Sequence, residues 1–135
     1  MSYVEHINED NPLEVIRVYE DGSKEWYFKG KLHRKTGPAD IRTDGYEAWY
    51  LDGKRHREDG PAVTHKDGYE AWHLNGKLHR EDGPAVTHED GYKAWYLNGK
   101  LHSETGPAVI YSDGSKEWYL DNEELTEEEF IERTR

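Results

Sequence analysis

Apolar and polar residues in this chain alternate over short stretches and never build a long apolar run. Tyr69-Glu70-Ala71-Trp72-His73-Leu74 is one such stretch, rich in aromatics, and it predicts a strand. It ends at Asn75-Gly76, two residues that tolerate positive φ, which predicts a type I′ turn. An excursion from Asn75 to Pro84 follows, carrying Leu78 and His79. The chain then extends again through Ala85-Val86-Thr87-His88, and Asp90-Gly91 predicts the turn into the next strand. This whole order repeats. Asp-Gly recurs at Asp21, Asp44, Asp67, Asp90 and Asp113, always 23 residues apart, and Trp26, Trp49, Trp72, Trp95 and Trp118 follow at one offset. Gly30, Gly53, Gly76 and Gly99 form a further column, as do Gly37, Gly60, Gly83 and Gly106, and His33, His56, His79 and His102. Residues 44–66 and 67–89 differ at only four positions, so one supersecondary unit is being stacked on itself. The expected fold is all-β: an elongated, single-layer antiparallel meander of stacked 23-residue hairpin repeats, with a short C-terminal capping helix.

Alternation assigns two faces to each first strand. One carries Trp26, Trp49, Trp72, Trp95 and Trp118 with Leu51, Leu74, Leu97 and Leu120, and Phe28 stands in the Leu column of the first unit. Because these columns hardly vary from unit to unit, they are expected to form the core, covered by Leu32, Leu78 and Leu101 of the excursions. The other face carries Tyr46, Tyr69 and Tyr92 beside Tyr27, Tyr50, His73, Tyr96 and Tyr119. With Ala48, Ala71 and Ala94 between them, these rings are expected to border shallow gaps on an open, partner-facing surface, since aromatic anchors are enriched at interfaces.

Boundaries follow from where the pattern starts and stops. Residues 1–12 read as an acidic, polar tail. The repeat domain spans 13–120, with units starting at 21, 44, 67, 90 and 113. Leu13 to Glu20 fits the second strand of an absent earlier unit. Residues 121–135 form an acidic cap, in which Thr126-Glu127-Glu128-Glu129 predicts a capping box and a short helix over Phe130 and Ile131. Ten strands are expected, and at about 4.8 Å per strand the sheet is roughly 45 Å long.

Only 33% of residues are hydrophobic and 35% are charged, a balance that on its own points towards disorder. Five Trp, ten Tyr and two Phe counter it, because aromatic rings bury enough area to build a thin core. The net charge of −11 argues against nucleic acid, which requires a basic stripe, and against anionic membranes. No cysteine is present, so neither disulfides nor thiolate chemistry enters. A polar, acidic N-terminus and the lack of an apolar span lead to a cytoplasmic expectation.

The string Asp90-Gly91-Tyr92-Lys93-Ala94-Trp95-Tyr96-Leu97-Asn98-Gly99-Lys100-Leu101-His102 resembles a MORN repeat, a likeness that extends over about residues 13–120. It departs from the family at Ala48, Ala71 and Ala94, where MORN units usually carry Gly, and where Arg or Ser rather than Gly follows the His. In this it is similar to MORN-like repeats of bacterial and large-phage proteins. The resemblance implies an elongated, grooved sheet used for protein contacts and dimerisation and, in some members, for phospholipid association.

Eight His invite a metal reading, but column members are rooted about 9–10 Å apart, while zinc ligands sit about 2 Å from the ion. Only mixed sets such as His65 with His73 or His88 remain, and neither metal nor cofactor is expected. A His hydrogen bond to the excursion in each unit is the simpler reading. Arg57-Glu58-Asp59 and Arg80-Glu81-Asp82 lie in polar turns and read as solvated charges. No nucleophile elbow, phosphate loop or dinucleotide fingerprint appears, so the expected activity is non-enzymatic. The expectation is a protein-binding repeat module acting through its Tyr face, of the kind an inhibitor or antitoxin-like sequestering factor would use. The alternatives are a structural element pairing two copies as a homodimer, or a binder of a small ligand or lipid headgroup.

Overall fold

The computed structural model describes residues 2–135. Tyr3–Asn8 (β1), Asn11–Tyr19 (β2) and Lys24–Phe28 (β3) open a long antiparallel meander. It continues strand by strand to Lys116–Leu120 and Glu123–Leu125, twelve strands along one path and each beside its neighbour in sequence within the sheet. The ten-strand expectation is low for two reasons. Residues 1–12 are not a tail, because β1 pairs with β2 from Tyr3↔Tyr19 to Asn8↔Asn11. The Glu123–Leu125 strand also pairs back onto Lys116–Leu120.

In the three middle units the first strand is broken at its Trp. Glu47–Ala48, for example, stays in the meander, whereas Tyr50–Leu51 pairs with Lys54–Arg55 in a separate hairpin. His73–Leu74 with Lys77–Leu78, and Tyr96–Leu97 with Lys100–Leu101, repeat this. The Trp backbone bridges the two parts: Trp72 N–H donates to the Ala85 carbonyl at 2.7 Å, and His79 N–H donates to the Trp72 carbonyl at 3.0 Å. Successive hairpins then join edge to edge through Gly76 N–H to the Arg55 carbonyl and Gly99 N–H to the Leu78 carbonyl, both 2.8 Å. The excursions therefore form a second hydrogen-bonded row alongside the meander.

The turn chemistry fits its residues. Asn75 and Gly76 sit at φ +51° and +83°, the two positive values of a type I′ turn, and Asp121 (+48°) with Asn122 (+70°) does the same without glycine. At the Asp-Gly turns the Asp carboxylate accepts the N–H two residues on, as in Asp67 with Tyr69 at 3.1 Å. Gly68 cannot be replaced cheaply: its φ is +97°, and a Cβ there would lie 2.5 Å from Glu89 Cβ.

The core lies on the opposite face from the one the columns predicted. Ala48, Ala71 and Ala94 are fully buried, and with Val63, Val86 and Val109 they form the central cluster. Ala71 is paired on one side with Val63 and on the other with Val86, so small and branched residues alternate across the sheet. Tyr46, Tyr50, Tyr69, Tyr92, Tyr96 and Tyr119 pack against that cluster, as do Leu78 and Leu101. The Trp side chains and Leu51, Leu74, Leu97 and Leu120, expected inside, are only half-buried. Ala is the smallest side chain in each strand, and it leaves the space into which the flanking Tyr rings fold. In the terminal units Glu25 and Glu117 take the Ala position, and each carboxylate accepts hydrogen bonds from two Tyr hydroxyls: Tyr19 and Tyr27, and Tyr111 and Tyr119.

The cap is a helix, Glu127–Thr134 (α1). The Thr126 hydroxyl accepts the Glu129 N–H at 3.1 Å, and the Glu129 carboxylate accepts the Thr126 N–H at 2.9 Å, a full capping box. Leu125 and Phe130 are buried beneath it, but Ile131 faces outward and is 53% exposed. Among the described residues no helix is long and apolar enough to cross a membrane.

Candidate functional site

The rings of the Tyr face are half-buried against the Ala and Val cluster. Burial pushes the Tyr46, Tyr92 and Tyr96 hydroxyls above their ordinary pKa. Tyr27 is pushed up to about 12, first by burial and then by the Glu25 carboxylate it hydrogen-bonds. His73 is the exception in its column. It is 7% exposed, its Nδ1 has no hydrogen-bond partner, and burial followed by the nearby Arg55 lowers its pKa.

The His column makes hydrogen bonds to the excursion turns, as expected, but to those of the following unit. Each Nδ1 accepts a backbone N–H from the hairpin turn of the next unit: Asp52 for His33, Asn75 for His56, Asn98 for His79 and Asp121 for His102, at 2.9–3.0 Å. This acceptor role leaves the proton on Nε2, which lies 3.8, 3.6 and 3.5 Å from Glu58, Glu81 and Glu104 in the second, third and fourth units. His65 and His88 lie on another edge, between the Asp-Gly turns of adjacent units. His65 approaches Asp44 and Asp67, and His88 approaches Asp67 and Asp90. Among the described residues no group of three His, Cys, Asp or Glu side chains is placed to hold a metal ion.

The opposite, Trp-bearing face carries a repeated cation–aromatic arrangement. Arg34, Arg57 and Arg80 lie over Trp26, Trp49 and Trp72, with guanidinium carbons 3.9–4.0 Å from the ring centroids. Each guanidinium also donates to the carbonyl of the following proline, Pro38, Pro61 or Pro84. In the second and third units a carboxylate completes the arrangement, Asp59 at 3.3 Å from Arg57 and Asp82 at 3.1 Å from Arg80. The first unit has Thr36 at that position, and Lys35 where Glu58 and Glu81 approach their histidines. Among the described residues no carboxylate lies within ion-pair distance of Arg34 or Lys35.

Grooves open on this face, two of which follow the repeat. The smaller, about 460 Å³, runs between the second and third units, with Trp72, Leu74, His79 and Arg80 on one side and Arg57, Glu58 and Asp59 of the preceding excursion on the other. The larger, about 980 Å³, is its counterpart two units earlier, built on Trp26, Phe28, His33, Arg34 and Lys35. No excursion precedes this unit. The tight β1–β2 hairpin takes that place and contributes Ile16, His6 and Glu14. The Glu14 carboxylate is held by the Asn8 amide at 2.7 Å, and the His33 ring lies 5.3 Å from that of Phe28. Such a groove suits an apolar side chain flanked by carboxylates, because a guanidinium stacked on an indole keeps its outer N–H groups free to donate.

No protein-family model, curated protein or solved structure matches this chain. The groove therefore has to be read from its own chemistry.

The sequence reading missed this site because it treated the Trp columns as core. One signal was present: Arg34-Lys35-Thr36 breaks the Arg-Glu-Asp pattern of Arg57-Glu58-Asp59 and Arg80-Glu81-Asp82.

Proposed function

We propose that this chain is a non-catalytic binding module that takes a partner protein through the groove over Trp26. The observation that carries the reading is the departure of the first unit from its own repeat. It keeps the Arg34–Trp26 stack, loses the acidic partners of that stack, and faces the larger of the two grooves. A partner segment presenting carboxylates around one apolar side chain supplies what the Asp and Glu of the other units supply internally. The surface assigned to recognition accordingly moves from the Tyr face to the Trp face. A sequestering role of the inhibitor or antitoxin kind, and the protein-contact role implied by the MORN-like resemblance, both fit an extended sheet carrying such a groove.

The test is titration with a synthetic peptide alternating Glu and Leu, followed by tryptophan fluorescence. Saturable binding is expected, with a change in Trp emission, and it should fall at least about tenfold in an Arg34→Glu/Lys35→Glu variant, since charge-assisted contacts are worth about 1.5–3 kcal/mol each. Equal binding by the variant, at an unchanged melting temperature, would overturn the reading.

A further inference from the structure

The excursion edge of the stack carries a charge gradient. From Trp26 to Ala39 it has four cations, Lys29, Lys31, Arg34 and Lys35, and no carboxylate. The matching windows of the next three units, 49–62, 72–85 and 95–108, each balance to zero. In the fifth unit, from Trp118 to Ile131, there are six carboxylates and no cation. The first excursion is thus basic and the fifth-unit cap acidic, while the groove over Trp26 is lined by Glu14 and Asp52 as well as by Arg34 and Lys35.

The two ends are also complementary in shape. Between neighbouring units an excursion bearing Glu58 and Asp59 lines the groove beside Trp72 and Arg80. At the first unit that place holds only the β1–β2 hairpin, and the groove over Trp26 has about twice the volume. At the fifth unit α1 replaces the excursion and turns Glu127, Glu128 and Ile131 outward. Glu129 is occupied in the capping box, and Arg133 and Arg135 are paired with Glu123 and Glu132, so they do not neutralise the first turn.

We infer that the groove over Trp26 receives the acidic α1 cap of a second copy, so that copies join head to tail. This rests on the groove being a binding site, as proposed above, and names its occupant. Ile131 enters beside Trp26 and Ile16, while Glu127 and Glu128 meet Arg34 and Lys35. The contact is heterologous, with different surfaces meeting, so it leaves a free groove at one end and a free cap at the other and does not close as a twofold dimer would. The charge of −11 on every copy opposes association, but at about 0.1 M salt the Debye length is about 10 Å, which screens the distant charges more than the touching ones.

The full chain is followed by sedimentation velocity between about 10 µM and about 1 mM, the range in which a weak contact becomes populated. The expected result at about 0.1 M salt is a mass that rises with concentration past that of a dimer and falls back at about 1 M, where the Debye length is about 3 Å. Arg34→Glu/Lys35→Glu should be monomeric, and so should Glu127→Lys/Glu128→Lys. Mixing the two variants restores association, since each groove then meets a cap of opposite sign. Circular dichroism melts confirm that both variants remain folded. A wild-type chain that is monomeric throughout, or a dimer that both variants still form, overturns the inference. If that chain still binds the Glu-Leu peptide, only the choice of occupant is wrong. If it does not, the groove reading fails as well.

Discussion

At the scale of single residues, His73 is the position where the molecule works against itself. Its column is otherwise Tyr, and the ring is enclosed with Nδ1 unsatisfied, a condition that costs about 1–3 kcal/mol. Burial, and then the neighbouring Arg55, lower its pKa, so the folded state holds the ring neutral where the unfolded chain would protonate it. The sign follows from linkage. Stability from the neutral ring is present above the ordinary His value of about 6.5 and is lost as pH falls below it towards the folded value. His73→Tyr restores the column, as Tyr50 and Tyr96 show that a phenol fits there. Urea denaturation should find the variant about 1 kcal/mol more stable at pH 7.5, with a markedly smaller loss between pH 7 and 5. An acid response identical to that of the parent would locate the sensitivity elsewhere in the chain.

Among elements, what holds unit to unit is legible only in part from the sequence. The period, the type I′ turns, the Asp-Gly turns and the capping box of α1 follow from local chemistry, because Asn75-Gly76 or Thr126 with Glu129 has few alternatives. The choice of buried face does not. Trp72 looked like core because its column never varies. In the fold, that invariance accompanies a bend at which its N–H and carbonyl bridge the meander to the hairpin row and its ring is covered by Arg80. Ala71 looked like a gap and is instead the fully buried centre, a matter decided by what lies on the two neighbouring strands. The His column was likewise visible without its partner, since the bond from Asn98 N–H to His79 Nδ1 spans 19 residues. That bond makes a prediction. His56→Leu and His79→Leu should each cost about 1 kcal/mol, and because the sites are about 9–10 Å apart and share no partner, the double variant should lose the sum to within about 0.5 kcal/mol. Chemical denaturation of the two single variants and the double checks this. A double loss well above the sum would mean that the hairpin row behaves as one cooperative body, not as a set of pairwise staples.

For the whole molecule, the design separates a middle that can be extended from ends that cannot. Residues 44–66 and 67–89 are nearly the same unit, and each makes the same bonds to the unit before and after it. The groove over Trp26 belongs to β1, β2, β3 and the first excursion, and the acidic cap belongs to the fifth unit. Stability in such a stack is close to a sum of unit and neighbour contributions. Inserting a second copy of residues 67–89 after Glu89 should therefore give a folded six-unit chain. Its urea m-value should rise by about a sixth, in line with the added length, and its melting temperature should rise as well. The groove would be unchanged, so affinity for the Glu-Leu peptide should stay within about twofold of the parent, a shift under about 0.4 kcal/mol. An affinity or stoichiometry that grew with the added unit would say something different: that the Arg–Trp stacks bind along the whole face, and that the missing carboxylates beside Arg34 are not what makes the site. Measuring both quantities on the same inserted chain thus separates a repeat scaffold with one terminal site from a repeat whose every unit is a site.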